Sequence, residues 1–132
     1  MDITNREMVT IFYFSYEIND IQCSIPEVKL GDTEDEIFPV LEIVAREVKN
    51  KVNEIGDTTK VVMRFSIDDK KYGVEVSGIE EESVFHNILS DSFYGMAATV
   101  MNHFGINDYI YPESFENAIY QRSGYDGKAE IG

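Results

Sequence analysis

Residues Met8 to Ile18 (MVTIFYFSYEI) are rich in β-branched and aromatic side chains and predict a strand. Alternation sends Val9, Ile11 and Tyr13 to one face and Phe12, Phe14, Tyr16 and Ile18 to the other. With both faces apolar, the strand is expected to be covered on both sides or to lie at an interface. Asn19-Asp20 supplies turn chemistry, because both side chains tolerate left-handed backbone and bond locally to main chain. Ile21, Cys23 and Ile25 alternate until Pro26, which cannot donate to a ladder and points to an edge or a strand end. A second hairpin is clearer. Val61, Met63, Phe65 and Ile67 alternate with Val62, Arg64 and Ser66, Asp68-Asp69-Lys70-Lys71 makes the polar turn, and Tyr72, Val74 and Val76 return. One apolar and one mixed face predict an antiparallel sheet.

Between the hairpins the period changes. Ile37, Leu41, Val44, Ala45, Val48, Val52 and Ile55 step by three, four and seven, as a helix requires. The acidic break Gly31–Glu36 leads into it, Thr33 and Glu36 read as a capping box, and Gly56 stands where a C-cap belongs. Pro39 conflicts with a start at Thr33, so either the helix begins near 35–38 or its first turn is kinked. Glu42 with Arg46 and Glu47 with Lys51 are spaced for pairing four residues apart. After the second hairpin, Glu80-Glu81-Glu82 opens another helix, with Phe85, Ile88, Leu89, Ser92, Met96, Val100, Met101 and Phe104 expected on one stripe and Gly105 closing it. Gly95 and Ser90-Asp91-Ser92 leave open a break within it. Pro112 precedes a short helix over 113–121, and 123–132 reads as a flexible tail.

The order hairpin, helix, hairpin, helix, short helix lacks the rhythm of βαβ crossovers. It predicts one α+β domain over 1–132: two layers, an antiparallel sheet of about four strands, two main helices on one face and a short C-terminal helix. No fixed-period repeat or linker is visible.

Charge narrows the function classes. The 132 residues hold 11 basic and 25 acidic side chains, a net charge of −14. Residues 1–58 carry 13 acids and 5 bases, residues 59–79 carry 3 and 4, and residues 80–132 carry 9 and 2. The second hairpin is thus the neutral segment. Such a surface repels phosphate backbones and anionic lipid, so neither a nucleic-acid nor a membrane partner is expected. The acidic N-terminus lacks the basic n-region of a signal peptide, and a single cysteine, Cys23, cannot form an internal disulfide, so the cytoplasm is the expected compartment.

Catalytic and cofactor motifs are missing from the sequence. His86 and His103 lie 17 positions apart in one helical stretch, about 25 Å along a continuous helix. HExxH, GxGxxG, the P-loop and Gly-x-Ser-x-Gly do not occur, and the GDTEDE stretch fails as a calcium loop. No basic neighbour marks Cys23 as a reactive thiol. Neither enzyme activity, nor a metal, nor a cofactor is expected.

Charge and aromatics point instead to a binding surface for a basic protein. The acids are densest at Asp32, Glu34, Asp35 and Glu36 and at Glu80, Glu81 and Glu82. Tyr109 and Tyr111 stand beside Asp108, Glu113 and Glu116, where rings could anchor and carboxylates pair with Arg or Lys. Packing of those tyrosines against the sheet is the alternative. Small, acidic and without catalytic residues, the chain looks in profile like bacterial immunity proteins that neutralise cationic, nuclease-type toxins. It also looks like phage-encoded inhibitors of host defence, which bind a defence protein or sequester a signalling nucleotide. A nucleotide site would need Arg6, Arg46, Lys49, Arg64, Arg122 or Lys128 to converge. The two-faced first strand could be buried by helices or by a second copy in a homodimer.

Overall fold

A computed structural model describes residues 10–120. Four strands, β1 (Thr10–Ile18), β2 (Ile21–Leu30), β3 (Lys60–Ile67) and β4 (Lys70–Ser77), alternate in hairpins with the helices α1 (Glu34–Ile55) and α2 (Glu82–His103), and α3 (Glu113–Ile119) follows. The hairpins join through their first strands, so the sheet runs β2-β1-β3-β4 with every pair antiparallel. The fold is α+β, as the sequence pattern predicts. Met8, Val9, Gln121 and the expected tail lie outside the described residues.

Both hairpin turns have positive φ at both central residues: 52° and 70° at Asn19 and Asp20, 50° and 69° at Asp68 and Asp69. This is the type I′ geometry whose twist matches the strands it joins. The second turn is therefore two residues long, and Lys70 and Lys71 belong to β4. Pro26 lies on edge strand β2. The register there slips, with Phe12 opposite Val28 but Phe14 opposite Ile25. One extra residue is accommodated at a bulge, where a missing N–H does no harm.

Phe12, Phe14, Tyr16 and Ile18 of β1 and Val61, Met63, Phe65 and Ile67 of β3 are buried beneath the helices. Burial of each such side chain contributes about 1.5–3 kcal/mol. Of the two expectations for the other face of β1, cover by the domain's own helices is corrected: Ile11 and Tyr13 remain 37% and 53% exposed. β1 is central in the hydrogen-bonding direction, yet one side of the sheet carries no helix among the described residues.

In α1 the predicted stripe is buried, with Phe38 and Lys49 in addition, whereas Ile55 is only partly covered. The helix starts at Glu34 and keeps Pro39 inside, giving up one backbone bond. Thr33 stands at the N-cap but makes no side-chain bond to the backbone; its hydroxyl donates to Glu36 Oε1 at 3.0 Å, so the capping box is not formed. The expected pairs four residues apart are also replaced. Glu47 accepts from Tyr16, Glu42 accepts from Ser114, and Lys51 reaches Glu54. α2 is one continuous helix through Gly95. Its buried stripe is Phe85, Leu89, Phe93, Met96, Ala97, Val100 and Met101. Ile88, 38% exposed, and Ser92 fall beside that stripe rather than on it.

A repeat invisible in the residue identities appears in the architecture. A step of 49 positions carries the buried residues of β1 (12, 14, 16, 18) onto those of β3 (61, 63, 65, 67), and the first turn onto the second. A step of 48 carries Ile37, Phe38, Leu41, Ala45, Val48, Lys49 and Val52 of α1 onto buried positions of α2. The domain is two ββα units side by side, a repeat of architecture that the residue identities do not show. Burial is shared between the halves while the side chains differ.

Candidate binding surface

The strand register fixes which ends of the molecule meet. β2 ends beside Thr10, and β4 begins beside Ile67. The start of α1, the Asp68-Asp69 turn and the end of α2 therefore share one end of the domain. His103 Nε2 lies 3.1 Å from Asp68 Oδ2, tying that end together. The end of α1, the Asn19-Asp20 turn and the start of α2 share the other, where Asn19 Nδ2 donates to the carbonyl of Asp57.

The candidate acids accordingly fall into two groups. Asp32, Glu34, Asp35 and Glu36 gather at the first end, and the 106–112 segment comes to meet them. Glu80, Glu81 and Glu82, all exposed, lie at the opposite end. Glu80 and Glu82 border a cleft of about 490 Å³ reached by Thr58, Thr59 and His86. Glu82 Oε2 stands 3.8 Å from His86 Nε2, too far for a hydrogen bond. No single acidic face unites the two groups.

At the first end an aromatic cluster anchors the chain after α2. Phe38 of α1 packs on Tyr109, Tyr111 and Phe115, with ring centroids 6.2, 5.9 and 5.3 Å away. Tyr94 of α2 meets Tyr111 edge-on at 4.6 Å, and its hydroxyl donates to Glu116 at 3.2 Å. Burial pushes the Tyr111 hydroxyl up to about 12 and raises that of Tyr94 as well. Ser114 donates to Glu42 across α3 and α1 at 2.6 Å. Tyr109 and Tyr111 thus pack against helices rather than the sheet and are half-buried, while Asp108, Glu113 and Glu116 are exposed.

With Tyr109 and Tyr111 turned inward, the residue between them faces out. Ile110 is 85% exposed, a large apolar side chain that sequence reasoning missed. The two-residue alternation Tyr-Ile-Tyr ahead of Pro112 was the signal available. Ile110 borders a groove of about 190 Å³ with Glu34, Asp35, Phe38, Glu42 and Ser114. Glu34 Oε1 is sealed from water with no hydrogen-bond partner among the described residues. Gly31 makes room for the turn beneath, because a Cβ there would run into the Glu36 side chain.

Of the cations proposed from the sequence, the three among the described residues, Arg46, Lys49 and Arg64, do not share one cleft. Arg46 is exposed on α1, whereas Lys49 is 1% exposed and donates to Ser90 of α2. Arg64 is on the open sheet face, paired with Glu17 at 2.8 Å. Arg6, Arg122 and Lys128 lie outside the described residues. No group of three or more metal-ligating side chains occurs among the described residues, and no described helix is long and apolar enough to cross a membrane. No family model, curated protein or solved structure matches this chain.

Proposed function

We propose that this chain is a non-enzymatic binding protein that docks a cationic protein on the end formed by the start of α1 and the 106–112 segment. The activity it best fits is that of an immunity protein, working in the cytoplasm, which neutralises a basic nuclease-type toxin by covering its active site. One observation carries the reading: the exposed side chain of Ile110 adjoins a groove lined by the acidic side chains of Glu34, Asp35 and Glu42. Carboxylates grouped at the rim of such a groove form charge-assisted hydrogen bonds with an incoming Arg or Lys. An apolar anchor inside a charged rim is the usual anatomy of an interface hot spot. Glu80, Glu81 and Glu82, at the far end, would add to the long-range field that steers the partner without touching it.

Calorimetric titration against the product of the neighbouring gene tests this. Ile110→Ala and Glu34→Gln are each expected to weaken binding about ten-fold or more, and Glu81→Gln by less than about two-fold. Affinity should fall with added salt. Absence of binding, or binding that ignores both substitutions and salt, rejects the reading.

A further inference from the structure

The sheet face opposite the helices carries a second concavity. Ile25, Phe14, Phe65 and Tyr72 are register partners in one row across all four strands. Their side chains turn toward the helices, so their backbone forms the floor of a trough on the open face. Its walls are the two flanking rows. Tyr13, Ser66 and Lys71 are partners in one; Ser15, Ser24 and Arg64 are partners in the other. The trough encloses about 440 Å³, within the range of small-molecule sites.

Its chemistry differs from that of the rest of the molecule. Arg64 and Lys71 stand on adjacent strands in diagonal positions, about 7–8 Å apart and within reach of a shared group. The residue directly opposite Arg64 is Gly73, so no side chain separates the two cations. Glu17 holds the guanidinium through one nitrogen at 2.8 Å, leaving other donors of its fork. Lys71 and the hydroxyls of Ser15, Ser24 and Ser66 make no side-chain hydrogen bond among the described residues. Tyr13, half-exposed, offers a ring beside them, with the Glu27 carboxylate next to its hydroxyl.

We propose that this trough binds a small ligand made of a flat ring and one oxyanion, either phosphate or carboxylate. The ring lies against Tyr13 and the backbone floor, and the oxyanion sits between Arg64 and Lys71 in the space Gly73 leaves open. The unspent hydroxyl of Ser66, the register partner of Lys71, stands beside it. A macromolecular polyanion is a poor fit, since the −14 net charge repels a chain of phosphates while two local cations suffice for one group. The site lies on a different face from the acidic end and does not depend on the reading given for it.

The test is isotope-edited NMR of the full chain, titrated with AMP, benzoate, adenosine and inorganic phosphate up to about 10 mM. AMP or benzoate should shift the amides of Tyr13, Ser15, Ser66, Lys71 and Gly73. Adenosine and inorganic phosphate, each holding half of the recognised chemistry, should bind at least about five-fold more weakly. A response to AMP but not benzoate identifies phosphate as the oxyanion, and the reverse identifies carboxylate. Lys71→Glu should weaken binding at least about five-fold. Gly73→Ala should weaken it while leaving the fold intact, because a Cβ there meets nothing closer than 3.6 Å. Adenosine binding as well as AMP, shifts confined to other surfaces, or indifference to both variants overturns the proposal. So does sedimentation showing that the free protein already buries this face in a dimer.

Discussion

Ser15 on β1 and Arg64 on β3 face each other across the middle ladder, and each is the other's counterpart under the 49-residue step that maps the first hairpin onto the second. An antiparallel ladder that pairs a residue with its own counterpart has a local two-fold axis at that point. The axis passes through the sheet between these residues, and the two ββα units are arranged about it. The trough on the open face is therefore central, and the two helices run antiparallel across the other side. Symmetry of backbone with divergence of side chains lets one half carry Ser15 where the other carries Arg64.

The repeat makes a quantitative demand on the core. Leu41 and Leu89 occupy equivalent positions and are 2% and 0% exposed. Leu41→Ala and Leu89→Ala should each cost about 2–5 kcal/mol, and the two values should agree within about 1.5 kcal/mol. Urea unfolding monitored by circular dichroism measures both. A large difference would mean that the two halves do not share one cooperative core.

Much of this was legible along the chain. The strands, both turns, the α1 stripe and the α+β class follow from periodicities that burial of one face enforces. The α2 stripe was misread in part because Ile88 is apolar but sits on the outer shoulder, and only packing against β4 and β3 distinguishes it from Phe93. The repeat escaped because it is conserved in exposure, not in residue type: Ala45 corresponds to Phe93 and Lys49 to Ala97. The acids of the candidate surface were visible, but their division between two ends depends on strand register. Ile110 was overlooked because a lone isoleucine looks like core until both neighbouring tyrosines are seen to occupy the inside.

The two turns should respond oppositely to one substitution. Asn19 and Asp69 both have positive φ, which glycine adopts without strain. Asn19, however, accepts from the amides of Thr59 and Lys60 at 2.9 and 3.2 Å and donates to Asp57. Asn19→Gly is expected to lose about 1–2 kcal/mol with those bonds. Asp69→Gly should be neutral or stabilise by about 0.5 kcal/mol, since it removes only backbone strain from an exposed turn. Thermal unfolding of the two variants decides this.

Alkaline pH should destabilise the fold before it affects most surface charges. Burial, followed by the nearby Glu47 carboxylate, holds the Tyr16 hydroxyl above the ordinary tyrosine value, and Tyr94 and Tyr111 are raised too. Below pH 10 these groups are protonated in both folded and unfolded chains and stability does not depend on them. Above it the unfolded chain releases protons that the folded chain retains, so stability falls as pH rises. Denaturant titrations between about pH 9 and 11.5 should show the decline, and Tyr16→Phe should make it shallower. A flat profile would show that these hydroxyls ionise freely in the folded protein.

Ser90 is the point where three helices meet. It is buried, accepts from Lys49 of α1 at 3.2 Å, and donates to the carbonyl of Ile119 in α3 at 2.8 Å. Ser90→Ala removes an acceptor from a buried ammonium and a donor from a buried carbonyl, so it should cost about 2–4 kcal/mol in spite of its small volume change. Ser90→Cys keeps the size but only a weak donor and acceptor, and should recover less than half of the loss. Hydrogen exchange would locate the effect: amides of α3 should lose protection in Ser90→Ala before those of β1 and β3. Because α3 holds Phe115 against Phe38 beneath Ile110, the same variant should also weaken a partner bound at the acidic end, although Ser90 lies too deep to touch it. Wild-type affinity together with lost α3 protection would separate the packing of α3 from the presentation of Ile110.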